Sequence, residues 1–362
     1  MILYTRELSP IPDSVIKNGK AIFGTYDGCP ECLDIRGIRA PFTGLPLPKF
    51  ITNFRIKSSI SFMFSIGDYI GMVDFLDQKL FGLVKVVFWD KESKRKFSYR
   101  KVMGPRRRII PHNMKCGFCA SFSKNRYVRL SWDHKRNRFS MIFSLKGDDS
   151  RPSARAAFVA PYTDERMNEV FAVVPAPTRR RCSATYYATP SIHGTVSLGS
   201  TKNYPQAIMN DTDGFSIFQV NRAYYPFEYE SESVMISGLT EINGTKKRFT
   251  VVLHAVQENQ VDADGINSNF LFLDGKKTPL PQIQITHNGG IQKNWVIQDF
   301  ENMVDLTFTP ISRQLQDFSL MLIHDTTTTI YGTFEGVLKT NENEDIVLHN
   351  FEGLVRREST RS

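Results

Sequence analysis

Apolar and polar residues alternate with a period of two over much of this chain. Val128, Leu130 and Trp132 alternate with Arg129, Ser131 and Asp133. After the polar turn His134-Lys135-Arg136-Asn137 the alternation resumes at Phe139, Met141, Phe143 and Leu145. Successive strand side chains point to opposite faces, so this pattern predicts a β-hairpin with one apolar face. The same spacing marks strands around Phe249-Val251-Leu253, Ile283-Ile285 and Val304-Leu306-Phe308. Asp274-Gly275 after Phe270-Leu271-Phe272-Leu273 predicts a tight hairpin turn. Leu80 to Trp89 reads as a longer, nearly continuous apolar strand ended by Asp90-Lys91-Glu92. Helix signals are scarce. Thr163-Asp164-Glu165-Arg166 fits a cap for a short helix towards Phe171, while Val170 to Val174 also fits a strand. Short strands between turn signals predict a barrel or sandwich, and a closed barrel buries one face of each strand. The Pro177- and Arg-rich stretch Pro175 to Arg181 is the candidate junction.

Composition narrows the class. Hydrophobic residues make up 41% of 362, enough for a sizeable core, which excludes wholesale disorder. No apolar run approaches the ~20 residues of a membrane helix. The N-terminal Met1 to Glu7 carries no basic-then-apolar signal, so a cytoplasmic location is expected. The 27 Phe and 13 Tyr favour strands and large apolar cavities. The excess of 46 Lys+Arg over 37 Asp+Glu, a net +9, gathers at Lys91 with Lys94-Arg95-Lys96, at Arg106-Arg107-Arg108, at Arg179-Arg180-Arg181 and at Arg356-Arg357. These read as solvated loop tips, because no phosphate loop or nucleic-acid motif accompanies them. None of the seven His forms an HExxH pair, and no GxSxG is present. His254 sits on an apolar strand and reads as a satisfied interior residue.

Two CxxC pairs are the sharpest local signal. Cys29-Pro30-Glu31-Cys32 and Cys116-Gly117-Phe118-Cys119 resemble zinc knuckles, and four thiolates would make a closed structural zinc site. The alternative is two unrelated pairs of reduced thiols, with Cys182 left over. The odd number of cysteines argues against a fully paired disulfide framework. Polar and aromatic residues also concentrate at Asn210 to Tyr229, with Asp211, Asp213, Arg222 and Tyr224. A second concentration, Gln257 to Asn269, holds Asp262 and Asn269. Carboxylates, an Arg and Tyr hydroxyls converging in an apolar barrel would orient a ligand or transfer protons.

The same segments carry a family resemblance. Phe171-Ala172-Val173-Val174-Pro175 before Arg179-Arg180, Pro190 with Gly194-Thr195-Val196, and Asp262 to Asn269 followed by Asp274-Gly275 occur in order. Trp295 with Val304-Asp305-Leu306-Thr307-Phe308-Thr309-Pro310, then Gly332-Thr333-Phe334-Glu335-Gly336 and Gly353, complete the set. In these the chain resembles the family called domain of unknown function 2804. The resemblance implies two lipocalin-like β-barrels, akin to carotenoid hydratases and lipocalin-like cyclases that act on hydrophobic polyenes, and it adds Trp295 to the ligand-binding candidates. The chain departs from the pattern at Asn210, at Tyr186-Tyr187 and at Ser268, where relatives carry charged groups.

The expected architecture is all-β, two packed lipocalin-like antiparallel barrels with few short helices, divided as residues 1–185 and 186–362. Three functions compete. The first is binding of a hydrophobic, lipid- or polyene-like molecule in a barrel cavity, with Asp211, Asp213, Arg222, Tyr224, Asp262, Asn269 and Trp295 as contacts. The second is a cofactor-free lyase or isomerase on such a molecule, with Asp211 or Asp262 as acid and Tyr224 or Arg222 stabilising charge. The third is an interaction protein stabilised by zinc on Cys29, Cys32, Cys116 and Cys119.

Overall fold

The computed structural model describes residues 6–42, 47–79, 81–104, 109–149, 151–162, 167–201, 205–256, 260–320 and 323–361. Among these, strands dominate and one short helix, Lys49–Phe54, accompanies them. The helix considered at 163–166 lies outside the described residues, and the segment that follows is the strand Glu169–Pro175. Its β-branched Val170, Val173 and Val174 suit a pleated surface better than a helix.

The first sheet has 14 strands and is organised around the long strand Ala207–Tyr224. One edge of that strand pairs with Ser191–Leu198 and, further along, with Cys182–Ala188; the other edge pairs with Ile56–Ile66. From Ile56–Ile66 an antiparallel meander runs through Tyr69–Asp77 and Gly82–Asp90 to Lys96–Met103. From Ser191–Leu198 another runs through Ala154–Ala160, Arg138–Leu145 and Arg126–Asp133 to Cys116–Ser123. The expected hairpin is present, with Trp132 opposite Phe139. Side chains tie the two meander ends together: Lys101 donates to the Phe122 carbonyl at 2.7 Å, and Arg126 donates to the Arg100 carbonyl. The curled sheet encloses rings that meet from opposite walls. Phe64 lies 5.1 Å from Phe158, Phe62 lies 5.4 Å from Phe139, and Trp132 lies 5.2 Å from Phe218. The abundant Phe therefore packs largely on itself, at ~1.5–3 kcal/mol per buried ring.

The second sheet has nine antiparallel strands within Glu228–Arg361. The predicted turn Asp274-Gly275 joins Phe270–Leu273 to Lys276–Pro279, with φ of 44° and 87°. Both values are positive, as a type I′ turn requires. Ile236, Phe249, Trp295, Phe308 and Phe334 fill its interior.

The chain changes sheets between Tyr224 and Glu228. Pro226 interrupts the ladder there, because it has no amide hydrogen to donate. Residue 185 lies inside the strand Cys182–Ala188, and the strands flanking Pro175 to Arg181 pair with each other in the first sheet. A division near 185 would thus cut a strand. The chain passes from the first sheet to the second 41 residues later, at Pro226 (226 − 185).

The lobes pack through the outer faces of the same strands. On Ile56–Ile66, Ile60, Phe62 and Phe64 enter the first core, while Met63 belongs to the inter-lobe core. On Gly82–Asp90, Val84, Val86 and Phe88 point inwards, and Val87 and Trp89 meet the second sheet. Met235, Val252, Tyr331 and Leu354 answer from the other lobe. The nearly continuous apolar run to Trp89, broken at Lys85, has its cause here: both faces of that strand are buried.

Candidate functional site

Beyond that apolar centre, the interface carries a charged cluster at each end. The first is closed. Asp74 accepts from Ser61 Oγ at 2.7 Å and from Arg356 Nη1 at 2.9 Å, and its other oxygen lies 3.9 Å from Lys85 Nζ. Lys85 also donates to Thr329 Oγ1 at 3.2 Å, and Arg356 Nη2 lies 2.5 Å from Glu358. Burial pulls the Lys85 ammonium down to about 8, against the attraction of Asp74. Burial likewise pushes the Glu358 carboxyl up. Two voids of about 30 Å³ each adjoin Arg356 and Glu358; each has room for about one water. Arg356 is thus a buried partner of Asp74 and no loop tip, because its strand is covered on both faces.

The second end is open. A groove of about 690 Å³ runs between the lobes, within the size range of small-molecule sites. Phe215, Leu239, Ile311 and Phe351 give it apolar walls. Leu239 and Ile311 are half-exposed apolar side chains that enter neither core. Gly238 makes room for Phe351, since a Cβ there would come 2.4 Å from its ring. Behind the lining, the buried Tyr331 stacks on Trp89 with centroids 5.7 Å apart, and its hydroxyl donates to Glu352 Oε1. Lys94 Nζ donates to both Tyr331 Oη and Glu352 Oε1, each at 3.1 Å. Burial and the neighbouring Glu352 push the Tyr331 phenol up, so it stays a donor. The turn carrying Lys94 is set by Asp90 Oδ1, which accepts from the Glu92 and Ser93 amides at 2.9 Å. Lys91 lines the same groove and donates to the Gly67 carbonyl at 2.9 Å. Apolar walls with a carboxylate and lysine ammonium groups can hold a small molecule and move a proton on it.

A second hollow of similar volume lies in the first lobe between Cys32, Ile109, His112, Phe118 and Phe122. It draws on one lobe only.

The residues singled out from the sequence do not converge. Asp213 is exposed and pairs with His193 Nδ1 at 2.9 Å. The Asp211 side chain lies outside the described residues. Arg222 is buried and donates to the Ile110 and Pro111 carbonyls at 2.9 Å, so it pins a loop; burial pulls it down to about 10. Tyr224 donates to Asn53 Oδ1 at 3.1 Å and anchors the short helix. Asp262 pairs with Arg179 at 2.5 Å near the surface. Asn269 donates to the Pro281 carbonyl and accepts the His254 amide, at 2.8 and 2.7 Å. Trp295 is a core residue donating to the Ile291 carbonyl at 3.1 Å. Of the groove's polar groups, the sequence marked only the lysines, as a basic cluster. Glu352 escaped notice because a charge on a strand covered on both faces looks like an ordinary solvent-face residue.

The four CxxC sulfurs do not form one site. Cys29 and Cys119 are buried, while Cys32 and Cys116 are exposed. Cys116 and Cys119, three apart on one strand, point to opposite faces. Cys119 donates to the Ile109 carbonyl at 3.2 Å, and Cys29 Sγ lies 3.8 Å from His134 Nε2. Among the described residues, the metal-competent group of three is Cys29, His134 and Glu169.

The family model described as Domain of unknown function (DUF2804) matches residues 47–361. Among solved structures, kievitone hydratase from Nectria haematococca is similar at 10% identity and a TM-score of 0.46, covering 84% of this chain and 89% of that one. CghA with Sch210972 is similar at 6% identity and a TM-score of 0.38, over 85% and 89%. A second CghA structure gives 7% and 0.37, over 93% and 97%. No curated protein matches the chain. Among the described residues, no helix is long and apolar enough to cross a membrane.

Proposed function

Since the chain belongs to this family of unknown function, we propose a role from its own inter-lobe groove: binding a small molecule with an apolar skeleton and an acidic or carbonyl oxygen. The observation that carries this reading is the meeting of apolar walls with the paired Lys94 and Glu352 in one groove. The apolar body would lie on Phe215, Leu239 and Ile311, and the oxygen would displace one Lys94 hydrogen bond. This keeps a hydrophobic ligand but moves it from the barrel interior to the seam between lobes. The test is titration with the anionic naphthyl dye 1-anilinonaphthalene-8-sulfonate. Saturable fluorescence lost in Leu239→Glu supports the groove; unchanged binding in that variant removes it.

A second reading, cofactor-free isomerisation or elimination, is favoured by Glu352 accepting from both a phenol and an ammonium. Glu352 would take a proton from carbon beside the bound carbonyl, and Lys94 would donate to the developing oxyanion. Native mass spectrometry of protein purified from cells would identify a retained molecule. Deuterium exchange into it from solvent, absent in Glu352→Gln, is the expected result. Equal exchange in that variant would remove the catalytic reading and leave binding alone.

A further inference from the structure

We infer that Cys29, His134 and Glu169 form a binding site for one zinc-like divalent ion, independent of the inter-lobe groove and using only one cysteine of the CxxC motifs. Three separate elements deliver them. Cys29 follows the strand Gly24–Asp27 through Gly28, whose φ of 103° turns the chain. His134 follows Arg126–Asp133, and Glu169 opens Glu169–Pro175.

The separations fit an ion better than direct bonding. Cys29 Sγ lies 3.8 Å from His134 Nε2, and that nitrogen lies 3.7 Å from Glu169 Oε1. All three ligand atoms lie within 4.8 Å of one another. An N–H···O bond would bring nitrogen and oxygen to ~2.9 Å. Tetrahedral zinc sets the edges at about 3.6 Å for S–N and about 3.3 Å for N–O, from its bond lengths. The present gaps are a few tenths of an ångström wider than those edges.

The surroundings hold the set in place. Tyr186 donates to Glu169 Oε1, and the Tyr162 ring lies against the His134 ring at 3.9 Å. The Cys29 thiol also meets the Pro30 and Met114 carbonyls, at 3.5 and 3.7 Å, and the Tyr186 hydroxyl. Lys115 is the nearby cation that opposes a metal, and its charge faces the thiolate and carboxylate together. His134 and Glu169 keep part of their surface exposed, which gives an ion a way in. Thiolate, neutral imidazole and carboxylate suit zinc or cobalt, and their two negative charges balance a divalent ion. On binding, Cys29 loses its proton to solvent and its sulfur donates a lone pair to the metal.

The test uses the full chain, stripped with chelator and titrated with Co²⁺ alone. The expected result is a sulfur-to-cobalt charge-transfer band saturating at one ion per chain and displaced by Zn²⁺. Cys29→Ser should lose the band. His134→Gln should weaken binding about tenfold or more, and Glu169→Gln should shift the visible d–d bands while keeping the charge-transfer band. Cys32→Ser and Cys116→Ser should behave as the parent. Absence of a saturable band, or its loss in Cys32→Ser or Cys116→Ser, overturns the assignment. Circular dichroism of each variant separates lost ligation from lost folding.

Discussion

The two ends of the lobe interface use the same kinds of residue to opposite effect. Each sets a lysine beside a carboxylate contributed across the seam: Lys85 near Glu358, with Asp74 of its own sheet beside it, and Lys94 near Glu352. At the first end the charges are sealed, with Asp74 and Lys85 each 1% exposed in their side chains. At the second, Lys94 is 44% exposed beside a groove. Burial decides what a charge can do. A sealed pair fixes register between lobes and is costly to break, whereas an open pair contributes little to stability and stays available to a ligand.

The largest expected effect is at the sealed end. Arg356→Met leaves Asp74 with only Lys85, and urea unfolding should show a loss of about 3–5 kcal/mol. The double variant Asp74→Leu/Arg356→Met should recover much of it, since apolar groups replace both charges. A purely additive double variant would break the comparison.

Lys85 adds a pH signature. In the folded chain it gives up its proton at about 8, while the unfolded chain holds it to the ordinary 10.5. Between those values the unfolded state binds more protons, so this residue makes stability rise with pH. The burial penalty is fully present below about pH 8. Urea midpoints of the parent relative to Lys85→Met should therefore improve from about pH 8 to about pH 10. A flat difference would mean that Lys85 is already neutral or well solvated.

At the open end binding should change and stability should not. Leu239→Glu should weaken dye binding about tenfold or more, since a charge replaces ~2 kcal/mol of apolar contact. Its unfolding midpoint should stay within about 0.5 kcal/mol of the parent. Smallest of all, Lys94→Ala should cost about 0–1 kcal/mol and lose even that at high salt. A larger, salt-insensitive loss would make the two ends alike.

Period-two patterning exposed the architecture because the longer strands have at least one dry face. Trp132 and Phe139, or Phe270 to Leu273 before Asp274-Gly275, needed no partner information to be read as hairpins. The position of the lobe boundary was hidden. Pro175 to Arg181 has the composition of a linker but is a connection within one sheet, and Pro226 is a single residue among aromatics. Candidate chemistry was hidden for a related reason. Asn269 and Arg222 spend their polarity on backbone carbonyls, which sequence cannot foresee. Glu352, Arg356 and Glu358 look solvent-facing until the first lobe covers their strand. The CxxC spacing pointed to Cys29, but its neighbours His134 and Glu169 lie 105 and 140 residues away (134 − 29, 169 − 29).

The long strand Ala207–Tyr224 also sets a timetable. Ile56–Ile66 has its partner only when that strand emerges from the ribosome, 158 residues after Ile66 (224 − 66). At ~5–20 residues per second, synthesis leaves one of its edges without its native neighbour for about 10–30 s. An open edge invites pairing with other chains. Ser59, Ser61 and Ser65 flank Met63 on the outer face of that strand, and dilute its apolar surface with hydroxyls until the fold can close.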